Sequence, residues 1–226
     1  ENVAAEHDVS RAEQDAFAVT SQTRAAAAIR DGRFEDQITP VSVKVKRDKV
    51  DFICDEHPKQ TDEAALAGLR PVFQKDGSVT AGNASGINDG AAALVLAQAS
   101  AAQMAGLRPR ARVLGYAHAG VRPAVMGIGP IPAVQNLLQK TGLAVEDFDV
   151  IESNEAFAAQ ALAVNKALGL DAARVNPNGG AIALGHPVGA TGAILVIKAL
   201  HELERTQSDR ALITMCIGGG QGIALA

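Results

Sequence analysis

The sequence has no tryptophan, one tyrosine and six phenylalanines in 226 residues. That scarcity excludes a core built on large rings. Ala, Val, Leu and Gly must fill it, which favours thin, closely apposed layers of helix and sheet. Cysteine is almost as rare. Cys54 and Cys216 are the only two, with no CxxC pair and no Cys/His cluster, so neither a disulfide scaffold nor a metal site is indicated. No apolar run approaches the ~18 residues of a membrane span, and no signal peptide is expected from these residues. Charge of one sign is also missing: Lys plus Arg is 21 against 25 Asp plus Glu, net −4. Without a long basic stripe, nucleic acid is not expected as a partner. The densest basic run, Lys44, Lys46, Arg47 and Lys49, alternates along a predicted strand and reads as its solvated face, with a phosphate contact as the alternative. Methionine is absent from position 1, where Glu1 stands, so the chain is expected to begin inside a longer sequence or to have been processed.

What is present is ordinary for a globular protein: 47% hydrophobic residues, and length enough for one large domain or two small ones. Ser10 followed by Glu13 is a capping box that opens a helix through Phe17, Val19 and Ile29, ending near Asp31-Gly32. From Ile38 to Ile53 the pattern turns to β, and 61–69 is a short helix capped by Thr61 or Asp62. Asp76-Gly77 is a turn. Residues 80–90 form a loop of small residues, where another backbone or a slender ligand can come close, feeding the apolar stretch 91–97. Beyond Gly106 strands and helices alternate. Strands are predicted at 112–117, 150–152, 211–216 and 222–225, with helices running from 130 to 138, 155 to 168 and 194 to 203. Alternation closed by a hairpin predicts an α/β layered domain over 111–226.

Three segments carry candidate chemistry. In 178–193, the Gly-rich loop lacks Gly-Lys-Ser/Thr and a clean Gly-x-Gly-x-x-Gly, so a phosphate cradle does not fit. His186, set between Gly185 and Pro187, has small neighbours that leave its imidazole open for general acid/base work or oxyanion donation; a structural His is the plainer reading of that residue alone. Cys216 ends an apolar strand, usually an inert position, but Gly218-Gly219-Gly220 follow. Their amides would form an anion-stabilising nest beside a sulfur able to act as nucleophile or base. Asn154, at a strand-to-helix junction, is either an N-cap or a ligand-facing group at the C-terminal end of a strand. Cys54, in the 50–53 strand, reads as structural.

Together, Asn154-Glu155-Ala156-Phe157, Gly185-His186-Pro187-Val188-Gly189 and Cys216-Ile217-Gly218-Gly219-Gly220 resemble, in order, the motifs of the thiolases, which condense or cleave acyl-CoA thioesters. Ser10-Arg11 through Phe17, the 80–90 loop and 127–132 extend the resemblance over nearly the whole chain. It implies a layered α/β/α C-terminal domain over 111–226 and an α+β loop domain over 1–87. Residues 88–110 would be the last strand and helix of an N-terminal half that is otherwise missing. It implies that His186 activates an acylatable cysteine and forms an oxyanion hole with a water held by Asn154. Cys216 would be the base for the α-proton, and the Gly218 amide part of a second oxyanion hole. Ser85 would hold the pantetheine arm, with Ala84, Met126 and Phe157 lining its channel. The acylatable cysteine of the family lies in the missing half, and Cys54 has no catalytic surroundings to replace it. Losing a covalent nucleophile costs several orders of magnitude, so the chain alone is expected not to turn over. The alternative is a truncated fragment or a non-catalytic CoA-binding remnant. The implied partners are acyl-CoA or CoA, the missing N-terminal half, and further copies in a dimer or tetramer. No membrane partner, no metal and no cofactor beyond CoA as substrate or product is implied. The compartment implied is the cytoplasm, or an organelle in a eukaryote, a targeting segment then lying in the missing part. The missing half should also leave apolar surface exposed.

Overall fold

The capping box forms as the sequence predicts. In the computed structural model, which describes all 226 residues, a short helix α1 (Asn2–Glu6) precedes α2 (Arg11–Arg30). Ser10 Oγ accepts from the Glu13 amide at 3.3 Å, and Glu13 Oε2 accepts from the Ser10 amide at 2.7 Å. The inner face of α2 is unusual: Ala18, Ala25 and Ala28 are buried beside Gln14, Asp15, Ser21 and Gln22. Small and polar residues therefore dock this helix, so close approach and hydrogen bonds hold it more than a stripe of large apolar side chains.

The single β stretch expected over 38–53 is instead a hairpin, β1 (Val41–Val45) paired antiparallel with β2 (Asp48–Phe52), Val43 facing Val50. Lys46 takes φ +57 at the reversal without the usual Gly or Asn, which is why the turn is not marked in the sequence. Lys44 thus lies opposite Lys49 while Lys46 and Arg47 form the tip, all four exposed. The basic run is not one face of one strand. Cys54, read as structural, lies past the end of β2 with a free, exposed thiol. Helix α3 (Glu63–Ala67) is capped by Asp62, whose Oδ1 accepts from the Ala65 amide at 2.8 Å.

Of the strand and helix expected within 88–110, the helix forms as α4 (Ala99–Met104), but the preceding apolar segment joins no sheet. Val95 is 92% and Leu96 81% exposed. A strand needs a neighbouring edge for its amides and carbonyls, and none here lies alongside 91–97.

The second half is built on a four-stranded sheet. Strand β3 (Tyr116–Gly120) leads to α5 (Pro130–Thr141), then β4 (Val150–Ser153), α6 (Ala158–Leu168), a one-turn α7 (Ala181–Leu184), α8 (Thr191–Thr206), β5 (Ala211–Ile217) and β6 (Gln221–Leu225). The order is β3-β6-β5-β4, antiparallel except for the parallel β4–β5 pair. β3 begins four residues later than the sequence suggested and runs on to Gly120. Helix α5 covers one face, with Ala133, Val134 and Leu137 packed on Ile151, Leu212, Ala224 and Phe148. On the other face α8 packs against β4 and β5. Helix α6 starts at Ala158, not 155, because residues 156 and 157 stay extended against the 80–90 loop: Phe157 pairs with Ala84, and the Ser85 amide donates to Ala156 O at 3.1 Å. Helix α7 was not foreseen.

Leu137 is fully buried at the centre of the α5–sheet core. Leu137→Ala is expected to destabilise the chain by about 2–5 kcal/mol through lost transfer energy and the cavity left behind, whereas Val45→Ala on the exposed hairpin should change stability little. Urea titration followed by circular dichroism measures both.

Candidate functional site

Because β4 and β5 are parallel, their C-terminal ends lie together. The Asn154 amide donates to Thr214 O at 3.0 Å, and Cys216 lies two residues beyond, at the end of β5. Helix α8 begins over the same end, with Gly192 against Met215 Sδ. The loop before α8 carries His186. Parallel pairing and one helix start therefore bring Asn154, His186 and Cys216 to one edge of the sheet, where α/β folds place their ligands.

The polar contacts of His186 define its tautomer. Thr191 Oγ1 donates to Pro187 O at 2.9 Å, so the hydroxyl proton is committed and the oxygen faces His186 Nδ1 at 2.7 Å as an acceptor. Nδ1 therefore carries the imidazole proton. Nε2, unprotonated, accepts from Asn154 Nδ2 at 3.3 Å through its single lone pair. Burial lowers the His186 pKa below its ordinary 6.5, so the ring is neutral at physiological pH. Asn154 is buried, and its Oδ1 has no protein partner. Cys216 is 6% exposed, and burial pushes its thiol up to about 11. At neutral pH the sulfur is a thiol. Gly218 opens the turn between β5 and β6 with no atom within 4 Å of where a Cβ would stand, and Gly219 and Gly220 take φ of +86 and +92 to complete it.

The residues implied for pantetheine divide into two sets. Met126 and Phe157 line a cleft of about 300 Å³ together with Phe73, Val79 and Gln160. Phe73 meets Phe157 edge-on, ring centroids 6.2 Å apart. Ser85 and Ala84 do not line that cleft; they lie along the backbone of the same 156–157 segment, Ser85 Oγ donating to Ala156 O at 3.0 Å. A larger hollow, of about 420 Å³ beside Glu1, Arg11 and Asp76, takes in none of these residues. Phe73 and Gln160 were not singled out in the sequence. Gln160 had a signal, lying one helical turn past Phe157; Phe73 had none.

Beneath the site lies a set of buried charges that the sequence did not announce. Glu155 Oε2 accepts from Ser21 Oγ at 2.6 Å and the Ile182 amide at 3.2 Å, and Oε1 accepts from Asn176 Nδ2 at 2.9 Å. Burial still raises its pKa against these bonds. Glu152 is fully buried, with Lys198 Nζ at 3.5 Å as its ion-pair partner and the Glu155 and Glu202 carboxylates close enough to oppose its charge, while that ammonium donates to Gly179 O at 2.9 Å. Burial, opposed by Lys198, raises Glu152 to about 7.

Comparisons with known proteins agree over the whole chain. The profile of the thiolase N-terminal domain matches residues 1–100 and that of the thiolase C-terminal domain residues 107–226. The chain is 59% identical, over 99% of its length, to the beta-ketothiolase BktB of Cupriavidus necator, and 56% identical, over 100%, to an acetyl-CoA acetyltransferase of Escherichia coli. In each case it spans 57% of the relative's length. Among solved structures, the Bacillus anthracis acetyl-CoA acetyltransferase superposes with a TM-score of 0.97 at 50% identity. Human mitochondrial 3-ketoacyl-CoA thiolase in complex with CoA superposes at 0.90 and 44%. The chain covers 99% of itself in both superpositions, and 57% and 56% of the two structures. The layered α/β architecture is that of these proteins, present in part.

With its thiol held at about 11, Cys216 has a thiolate fraction near pH 8 of only about 10⁻³. Iodoacetamide followed by peptide mass spectrometry should label exposed Cys54 at least ~100-fold faster than Cys216; equal rates would contradict this burial. The Glu152 shift has a second consequence. Its pKa lies at about 7 folded against an ordinary 4.5, so its contribution to stability is complete below 4.5 and is lost as pH rises through about 7. Glu152→Gln is expected to flatten the fall in stability across that window, measured by denaturant midpoints at several pH values.

Proposed function

The chain belongs to the thiolase family, and on that premise we propose that it supplies the proton-transfer half of a thiolase site acting on acyl-CoA thioesters. The observation that carries this reading is the His186 Nε2–Asn154 Nδ2 contact, 3.3 Å long, at the sheet end that Cys216 also reaches. CoA is the proposed ligand, the cleft of Phe73, Met126 and Phe157 taking its slender pantetheine arm. A relative solved with CoA supports that choice.

In thiolysis of a 3-ketoacyl-CoA, an acylatable cysteine attacks the 3-carbonyl carbon. His186 Nε2, neutral and unprotonated, is suited to take the proton from that thiol in place of its bond to Asn154 Nδ2. As the bond between the second and third carbons breaks, its electron pair passes to the departing acyl-CoA enolate. The buried Cys216 thiol then donates its proton to the α-carbon. A free CoA thiol takes the acyl group from the acylated cysteine, giving its own proton to the Cys216 thiolate, while His186 returns its proton to the released cysteine sulfur. In condensation the Cys216 thiolate removes the α-proton. The high thiol pKa suits this exchange, because a base for a carbon acid must bind its proton strongly. Asn154 through a water, and the Gly218 amide, are the proposed donors to the two developing oxyanions.

The acylatable cysteine is the group these residues do not offer. Cys54 is the other thiol, and it stands exposed beyond the hairpin. We therefore propose that the nucleophile comes from chain beyond these 226 residues, and that this polypeptide alone is inactive. The test is thiolysis of acetoacetyl-CoA, followed by loss of its absorbance. The 226-residue chain alone should match the blank. Supplied with the complementary segment of a close relative, it should turn over, and Cys216→Ser in that mixture should lower the rate by at least ~100-fold. Turnover by the chain alone, or full activity of the Cys216 variant, would refute the assignment.

A further inference from the structure

The 80–90 loop holds a residue that the acyl-transfer reading leaves without a task. Asn88 Oδ1 accepts from the His186 amide at 3.1 Å, an amide shared with Gly86 O at 3.2 Å. A backbone N–H only donates, so the oxygen of Asn88 must face His186 and its Nδ2 must point away. Nδ2 lies 3.4 Å from Nδ1 of His57, in the loop after the hairpin. His57 is oriented independently from its other end: Nε2 lies 3.2 Å from Ile182 O, a carbonyl that only accepts. That contact demands a proton on Nε2 and leaves Nδ1 with a lone pair, the one arrangement in which Asn88 can donate to it.

The packing leaves little freedom for another arrangement. A Cβ on Gly86 would collide with the His57 ring. Gly185 takes φ +93, and a Cβ there would lie 2.5 Å from Asn88 Oδ1. The same Ile182 carbonyl also accepts from Gln22 Nε2 of α2 at 3.3 Å. Three separated segments, around residues 57, 86–88 and 182–186, thus converge on the backbone that carries the His186 ring.

We propose that His57, as its neutral Nε2–H tautomer, and Asn88 are positioning residues that hold the His186 backbone and so aim its Nε2 at the site. Neither touches substrate. The proposal rests on the reading of His186 given above, and it extends the machinery to residue 57, outside the three recognised motifs. Plain loop packing would fill the same space with either tautomer, so tautomer and hydrogen-bond readouts separate the two.

The experiment uses the 226-residue chain with ¹⁵N-labelled histidine, at about pH 8, above the ordinary histidine pKa of about 6.5. Two-bond imidazole ¹⁵N–¹H spectra should show His57 with Nε2 protonated and Nδ1 bare. Hydrogen exchange then reads the His186 amide, with the Asn154 amide, bonded to Thr214 O, as internal reference. Asn88→Ala and His57→Phe should each speed His186 exchange roughly tenfold relative to Asn154, and the double variant should add nothing further. An Nδ1–H tautomer in the unmodified chain overturns the proposal. So does unchanged His186 exchange, equal loosening of both amides, or additive effects in the double variant. If the variants fail to fold, the tautomer in the unmodified chain decides the matter. No turnover is required, so a negative result here leaves the thiolysis reading intact, and a failed thiolysis assay leaves this one intact.

Discussion

The carboxylate of Glu155 is fully buried between α2, the end of β4 and the first turn of α7, where Ser21, Asn176 and the Ile182 amide converge on it. Ser21 Oγ also accepts from the Gly180 amide at 3.0 Å. A buried carboxylate must be paired or fully hydrogen-bonded, and removing one partner exposes the desolvation penalty of the charge. That constraint ties three elements distant in sequence into one body. The strand end bearing Asn154, the turn leading to His186 and the helix of the first hundred residues cannot move apart without orphaning it. The rest of the site inherits its geometry from this junction.

Burial also sets the charge states of the reactive groups. His186 and Cys216 are both pushed towards their neutral forms, one downward and the other up to about 11. The candidate site therefore holds a neutral imidazole with an unprotonated Nε2 and, at the same end of the sheet, a thiol that gives up its proton reluctantly. Such a pair suits chemistry in which protons move to and from carbon and sulfur in a dry cleft. It is less suited to a standing thiolate, for which an electropositive setting is the usual means.

Much of this was legible in the residues themselves. Ser10 and Glu13 announced the helix start, because a capping box is a local interaction whose partners are three residues apart. His186, Asn154 and Cys216 stood out because each sits in an unusual local setting of glycines or at an element boundary. The hairpin reversal at Lys46 was hidden, since period-two alternation continues across a turn made without Gly or Asn. The family resemblance implied a strand within 88–110, yet a strand exists only where an edge receives it, and the apolar stretch 91–97 meets none. Phe157 was assigned to a helix because the pairing that keeps it extended comes from Ala84, far away in the chain.

Sequence alone determined the layered α/β class, the family resemblance and the candidate site residues, because these depend on residue types and short spacings. Tertiary structure alone decided which nitrogen of His186 is free, why the Cys216 thiol stays protonated, and that Glu155, Asn88 and His57 reach the same site. Those properties arise from burial and from hydrogen bonds that exist only in the fold, some short in sequence such as Thr191 with His186, others more than a hundred residues long such as Ser21 with Glu155 and His57 with Ile182. No local pattern records them, since each exists only once folding has removed water from between the partners.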